Sequence, residues 1–401
     1  MAGPDIRVSL LTGGDDPDYA IPLAESLGKQ GIEVEFIGND DMEAASALKS
    51  ASIKYFNLRG DQNPQAPALV KIGRIVRYYK NLIFYAWRTD SHLFHILWLN
   101  KFEFIDRTLM NILYKLKGKK LVFTAHNVNS KKRDGSDSWV NRVTLRAMYS
   151  MLDHVFVHTE SAKEELVLEY GVVPDRITVI PFGLNTYAPD TLVSKREARS
   201  RLDLDEKATV LLFFGQIAPY KGLDVLLDAL SLGAAEDENL RLIIAGKAKR
   251  GFEAYWQALK SSLAGHPMRS RIVVNDNFIP DSDVPVLFRA ADALILPYRA
   301  IYQSGPLSLA YRFGVPVVAT RVGSFKGDVM PGITGFLCEP NHPHDLARAI
   351  HQYAQSELHV DAERARKRIR QIGADKYSWE GISRIIAEVY TRLDKGDAVA
   401  C

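Results

Sequence analysis

Residues 291–340 read ADALILPYRAIYQSGPLSLAYRFGVPVVATRVGSFKGDVMPGITGFLCEP, and the fold is decided here. Residues 294–296 are an apolar run of strand length, stopped by Pro297. Gln303, Ser304 and Gly305 form a small polar loop, and Pro306 stands where a first helical turn tolerates proline. Residues 307–313 continue as a helix closed by Gly314, with Pro316 just beyond. Residues 315–319 are the next buried strand, and Gly323 opens a turn. Strand, loop, helix and strand make a βαβ unit whose helix N-terminus offers backbone amides to an oxyanion such as phosphate. The same spacing also builds a βαβ unit that binds no nucleotide.

Working outward, the pattern recurs. Residues 6–11 form a strand, and the loop Thr12, Gly13, Gly14, Asp15, Asp16 follows. Residues 17–29 have helical spacing up to Gly31, and 34–37 are a second strand, the opening of a Rossmann-like half. The loop lacks the third glycine of a dinucleotide fingerprint, and its two aspartates would repel a pyrophosphate. They suit sugar hydroxyls, or are solvated loop residues. Residues 69–87 have helical periodicity. Leu69, Ile72, Ile75, Val76, Tyr79, Leu82, Ile83 and Ala86 share one arc, expected to pack. Lys71, Arg74, Arg77, Lys80 and Arg88 fall on the other, with Tyr78, Phe84 and Tyr85 expected on that charged side. Between residues 68 and 120 eleven Lys or Arg face three Asp or Glu. Such a helix either lies on an anionic bilayer surface or is a solvated face of a packed domain.

Residues 92–99 read as a strand, 102–116 as a helix, and 121–125 as a strand running into His126 and Asn127. A histidine at the C-terminal end of a parallel strand stands where open α/β sheets bind ligands. The loop 130–138 is polar and expected to be flexible; 153–158 is a strand leading into a helix with Ser161 and Glu164 at capping-box spacing. Residues 186–208 are charged, without a long apolar run, and mark a domain boundary. A second half then restarts: a strand at 210–214, the loop Gly215-Gln216-Ile217-Ala218-Pro219-Tyr220-Lys221-Gly222, and a helix. Residues 242–245 end in Gly246-Lys247, and 272–275 precede Phe278-Ile279-Pro280; residues 344–355 and 362–372 read as helices, and a last helix follows Ser378-Trp379 to residue 393.

Composition narrows the class. At 401 residues the chain has room for two or three domains, and 47% hydrophobic content is ample for two cores. A formal charge of +3 does not imply a nucleic-acid partner. Two distant cysteines, Cys338 and Cys401, fit a reducing cytoplasm, and no cysteine or histidine spacing suggests a metal. No leader peptide and no spanning apolar run are expected.

Pro297, the run Gly314-Val315-Pro316-Val317-Val318-Ala319, Gly323 and Gly332-Ile333-Thr334-Gly335-Phe336 resemble the donor-site segment of glycosyltransferase family 4, the retaining GT-B enzymes. The resemblance implies an α/β fold of two Rossmann-like domains facing each other across an interdomain cleft. Expected boundaries are 1–190 for an acceptor-binding domain, 191–377 for a nucleotide-sugar-binding domain, and 378–401 for a helix crossing back. It implies transfer of a hexose from a nucleotide-diphosphate sugar, with retention and without a metal or other cofactor. The acceptor is a saccharide, free or lipid-linked at the cytoplasmic membrane face, as in polysaccharide assembly. The basic helix 69–88 would make peripheral contact with the anionic membrane, and no nucleic-acid partner is implied.

By that resemblance Lys221 serves the leaving group and His126 the donor sugar. Gly215, Gln216, Gly246, Lys247, Phe278, Ile279, Arg299, Gln303, Ser304 and Gly305 line the donor, and Gly13, Gly14, Asp15, Asp16 and Asn127 the acceptor. The chain also departs from the family. Gln216 replaces the usual arginine, and a neutral amide cannot neutralise a phosphate. Arg299 or Lys247 could supply that charge. The family's paired glutamates fall on Ile301 and Leu309, and Asp328 is the acid nearest the position of a third. A catalytically degenerate GT-B binding protein, a partner subunit of an active transferase, or a binding protein for sugar phosphates or lipid-linked saccharides are the alternatives.

Overall fold

The computed structural model describes residues 6–13, 16–63, 65–100, 102–185, 193–232 and 238–396. Gly14 and Asp15 lie outside the described residues. The chain divides into two compact units, Met1–Gly183 with Tyr377–Cys401, and Leu184–Lys376.

The first unit is built on β1 (Arg7–Leu11), β2 (Glu33–Gly38), β3 (Ile53–Asn57), β4 (Leu93–Ile96), β5 (Lys120–Thr124), β6 (His154–Val157) and β7 (Ile177–Val179). Among the described residues these seven lie parallel in the order β3-β2-β1-β4-β5-β6-β7. The order reverses between β1 and β4, so the carboxyl ends of these strands form the crevice where such sheets bind ligands. Val8 and Leu10 of β1 pack beneath helix Pro17–Lys29 and the last helix, Trp379–Asp394, in one core with Leu23, Leu27, Ile386 and Tyr390.

Helix Ala68–Arg88 forms where the periodicity places it, but it packs on a different face. Tyr78, Leu82, Tyr85 and Ala86 are buried, whereas Leu69, Ile72, Val76 and Ile83 are exposed. The cause lies in the sheet beneath. That face of β1 and β2 presents Ser9 and Glu35, and Tyr85 bonds both, at 2.7 Å to Ser9 Oγ. A buried carboxylate needs hydroxyl donors, so tyrosines pack against it and the aliphatic arc faces out. Further corrections are local. Strand β4 is shorter than the expected 92–99, and the helix at 103–116 widens to an i→i+5 turn at Asp106–Met110. The expected flexible loop at 130–138 contains the helical turn Ser130–Arg133, capped by Asn129, whose side chain accepts from the Lys132 amide. Thr159, not Ser161, caps helix Glu160–Tyr170, because β6 stays extended through Thr159. Strand β3, with mixed polar and aromatic residues at the edge of the sheet, carried no clear strand signal.

The second unit contains β8 (Thr209–Phe214), β9 (Leu240–Ala245), β10 (Ile272–Asn275), β11 (Ala293–Leu296), β12 (Val317–Thr320) and β13 (Gly335–Cys338). Among the described residues these six lie parallel in the order β10-β9-β8-β11-β12-β13, with the switch between β8 and β11. Strand β12 starts at Val317 rather than 315, because the Val315 amide still closes the preceding helix on Ala310 O at 2.8 Å. Helix Lys195–Arg201 is pinned by a buried ion pair: Arg199 Nη2 reaches Asp292 Oδ2 at 2.6 Å, and Lys195 takes the other oxygen at 2.6 Å. Burial alone would raise the Asp292 carboxyl, but the two cations and the Val210 amide hold it below the ordinary range.

Candidate functional site

In the second unit the chemistry gathers at the carboxyl edge of β8 and β11. After β8 the chain turns through Gly215 (φ 111°) and runs antagonistically close to Gly246 (φ 134°), where a Cβ would lie 2.2 Å from Gly215 O. No side chain can replace that approach. Backbone bonds from Ile217 N to Lys247 O and Lys249 N to Ile217 O, both 2.9 Å, fix the two loops together. Lys221 is buried, and its Nζ donates to Tyr298 Oη at 2.8 Å. A Cβ on Gly215 would find Lys221 Nζ at 3.4 Å and Pro306 Cγ at 3.5 Å. Glycine backbone, ammonium and the first turn of helix Gly305–Phe313 therefore converge on one spot. Ser304 caps that helix through the Leu307 amide, and its hydroxyl also meets Tyr298. A cation beside a helix N-terminus is a seat for an oxyanion.

The neighbouring residues differ in what they can add. Arg299 is paired: its guanidinium forks onto Asp224 at 2.9 and 2.6 Å, bonds Asn341 at 2.6 Å, and reaches Pro219 O. Burial would raise the Asp224 carboxyl, yet the fork and the Tyr255 hydroxyl hold it low. Arg299 thus braces the loop that carries Lys221. Gln216 and Lys247 are exposed, and Lys247 Nζ stands 5.6 Å from the ring of Phe278, itself 67% exposed, with Ile279 buried beside it. Leu309 is buried, and the Asp328 carboxylate is held by Lys376 at 3.0 Å.

In the first unit the carboxyl ends of β5 and β6 bring two histidines together. Thr124 pairs with Phe156 in parallel register, so His126 and His158 emerge side by side. His158 Nδ1 lies 3.1 Å from Ile180 O, and its Nε2 lies 3.1 Å from His126 Nδ1. A carbonyl only accepts, so His158 carries its proton on Nδ1 and accepts at Nε2. His126 must then carry its own proton on Nδ1, which leaves His126 Nε2 a bare lone pair, buried and without a hydrogen-bond partner among the described residues. Desolvation, then the neighbouring His158, keeps the His126 pKa well below that of a free histidine, so the ring is neutral. Trp98 stacks on it (centroids 4.3 Å, planes 9° apart), and Tyr19 meets it edge-on at 4.6 Å. Gly13 (φ 63°) touches the Trp98 backbone, where a Cβ would lie 2.7 Å from the carbonyl oxygen. Asp16 caps helix Pro17–Lys29 with its backbone, and Asn127 Oδ1 accepts from Arg133 at 3.2 Å.

Tyr298 and His158 were absent from the sequence-derived candidates. His158 could have been found by the rule that found His126, since both follow a parallel strand. Among the described residues no group of three His, Cys, Asp or Glu is arranged to hold a metal ion.

Residues 19–187 match the profile "Glycosyltransferase Family 4", and residues 194–374 match "Glycosyl transferases group 1". A D-inositol 3-phosphate glycosyltransferase of Streptosporangium roseum is 32% identical over 59% of this chain, and that match spans 54% of the relative's length. Among solved structures, sucrose-phosphate synthase from Thermosynechococcus elongatus is similar with a TM-score of 0.75 at 18% identity, covering 98% of this chain and 100% of that one. HepE of Anabaena, in complex with UDP and glucose, aligns with a TM-score of 0.73 at 18% identity over 96% and 99% of the two chains. With both profiles matched in sequence and both Rossmann-like sheets present, the chain belongs to glycosyltransferase family 4, on the GT-B fold.

Proposed function

We propose that the protein transfers a hexose, with retention and without a metal, from a nucleotide-diphosphate sugar to a saccharide acceptor in polysaccharide or glycoconjugate synthesis. The observation that carries the reading is the convergence of Lys221 Nζ, the Gly215 backbone and the start of helix Gly305–Phe313. Charge develops there on a departing diphosphate, and a preorganised cation with helix amides stabilises it more in the transition state than in the ground state. His126 Nε2, an acceptor by its tautomer, takes a hydrogen bond from a hydroxyl of the donor sugar. Gly215, Gln216, Gly246, Lys247, Phe278, Ile279, Gln303, Ser304 and Gly305 contact the donor, and Gly13, Asp16 and Asn127 the acceptor. Arg299 acts through the Lys221 loop. A lipid-linked acceptor at the inner face of the cytoplasmic membrane fits the basic helix Ala68–Arg88 and its exposed apolar side chains. The solved relative that holds UDP and glucose makes a uridine donor the first to try.

The test is a thermal-shift panel of UDP, GDP, ADP and TDP without added metal, followed by transfer assays with and without EDTA. A nucleotide at a hundredfold excess over its dissociation constant adds about 2.7 kcal/mol of stability. One nucleotide standing clear of the others, with turnover unaffected by EDTA, is the expected result. No shift from any nucleotide would favour a degenerate binding protein, the reading that Leu309 and Ile301 at the glutamate positions keep alive.

A further inference from the structure

The apolar arc of helix Ala68–Arg88 is not covered. It forms one wall of an open groove of about 650 Å³ whose other wall is the helical run at 102–113. Ile72, Val76, Tyr79, Ile83, Phe102 and Leu109 line it, and Lys80 stands at its rim. Ile72 is 58% exposed, Val76 63% and Leu109 59%, so this is aliphatic surface lying in water. Apolar surface gathered in one patch, unlike scattered single residues, marks a contact site. The patch continues along both helices to Leu69, Trp87 and Leu116, all exposed.

The surrounding charge says what covers it. Arg77, Lys80, Arg88 and Lys117 are exposed and form no ion pair among the described residues, while Arg74 and Lys115 are already paired. Arg88 lies 3.9 Å above the Phe84 ring, and Lys117 Nζ 3.6 Å above Trp87. Phe84 is 55% exposed and Trp87 62%. Cations paired with exposed aromatics beside an aliphatic groove match the layers of a bilayer surface: phosphates outside, interfacial aromatics, then acyl chain. A second copy of this chain fits poorly, because a two-fold interface sets a patch against itself and would oppose the same cations.

We propose that this groove and its basic rim seat the first unit in an anionic phospholipid leaflet, with acyl chains filling the groove. The inference deepens the lipid-linked acceptor reading and rests on it for its purpose, though the binding itself needs no donor. The groove also shares Met110 with a smaller pocket lined by Gly13 and Trp98. An acceptor lipid lying in the leaflet would thus bring its head towards the loop expected to bind acceptor.

The test uses the full chain and vesicles of phosphatidylglycerol with phosphatidylcholine, against phosphatidylcholine alone. The wild type sediments with the anionic vesicles and at least tenfold less with the neutral ones. The double variant Val76→Glu with Leu109→Glu loses binding at least tenfold, with its melting temperature retained because both side chains stand in solvent. The triple variant Arg77→Gln, Lys80→Gln, Arg88→Gln loses about a hundredfold, at about fivefold per basic residue, and its residual binding depends less on salt. Wild type that ignores anionic vesicles, or a glutamate variant that binds them as well as wild type does, overturns the proposal. A concentration-dependent dimer that the glutamate variant abolishes, without vesicle binding, would overturn it in favour of self-association. The nucleotide panel is read separately on the same protein: a nucleotide shift without vesicle binding removes this inference alone. Vesicle binding without a nucleotide shift leaves it standing and removes the transferase reading.

Discussion

Lys221 and His126 are each held by one neighbour, which in each unit comes from the loop after an adjacent strand of the same sheet. Tyr298 fixes the ammonium beside Gly215, and His158 fixes the proton on His126. Lys221→Met should cut kcat by about a hundred- to a thousandfold, the usual cost of losing one preorganised donor at a developing anion, with the melting temperature changed little. Near-normal turnover would take Lys221 out of the leaving-group role. His158→Phe removes the acceptor that holds His126 Nδ1–H. Nitrogen NMR should then show His126 populating both tautomers, and kcat/KM should fall while Asn at position 158 restores part of it through its amide oxygen. An unchanged tautomer ratio would show that His158 does not set the proton on His126. In the sequence a strand end singles out His126, and the likeness of the 215–222 loop to the family's singles out Lys221. Tyr298 carried no such flag, since register between strands, not spacing along the chain, sets it beside Lys221, whereas His158 follows a strand end as His126 does and was open to the same reading.

Helices show where pattern reading succeeds and where it stops. Helix Gly305–Phe313 was readable from Ser304, Pro306 and Gly314, because caps and breakers act locally. Helix Ala68–Arg88 was readable in extent but not in orientation. A helical wheel ranks faces by hydrophobicity, and the sheet face beneath holds Glu35, which selects Tyr85 instead of an aliphatic side chain. Helix Lys195–Arg201 lacks an apolar stripe altogether, and a buried ion pair holds it. Asp292→Ala should cost about 3–5 kcal/mol, since it strands the Arg199 guanidinium, only 2% exposed, without its counter-ion. Urea unfolding followed through the second unit measures it, and a loss under about 1 kcal/mol would show that the pair adds little beyond packing.

At the scale of the whole chain, the two-sheet architecture was legible because glycine loops recur after each opening strand, and the arrangement of parallel strands follows from alternating β and α segments. One global property was not legible. His95 and His154 are buried in the first unit, with pKa values pushed down to about 3 and about 4, mainly by desolvation, and His126 is also depressed. Each takes up a proton on unfolding that the folded chain refuses. The folded state is therefore favoured above the free-histidine value of about 6.5 and loses stability as pH falls below it, by about 1.4 kcal/mol per pH unit for each such group, down to its folded pKa. Urea midpoints measured from pH 7 to pH 4.5 should fall steeply for the first unit; a flat profile would mean that these rings are hydrated.

Residues 377–396 complete the first unit although the whole second unit precedes them in synthesis. Trp379 lies against Gly183, where a Cβ would come within 2.3 Å of the indole, and Ser383 meets Ser26 at 2.8 Å. On the ribosome, then, the amino-terminal sheet waits. Strands β1 to β7 emerge first, yet Val8, Leu23 and Leu27 lack their cover of Ile382, Ile386 and Tyr390 until translation is nearly over. Leu184–Lys376 is contiguous and can finish folding first, inverting the usual amino-to-carboxyl order. A nascent chain stopped after Lys376 should yield a protease-resistant second unit attached to a first unit that is digested.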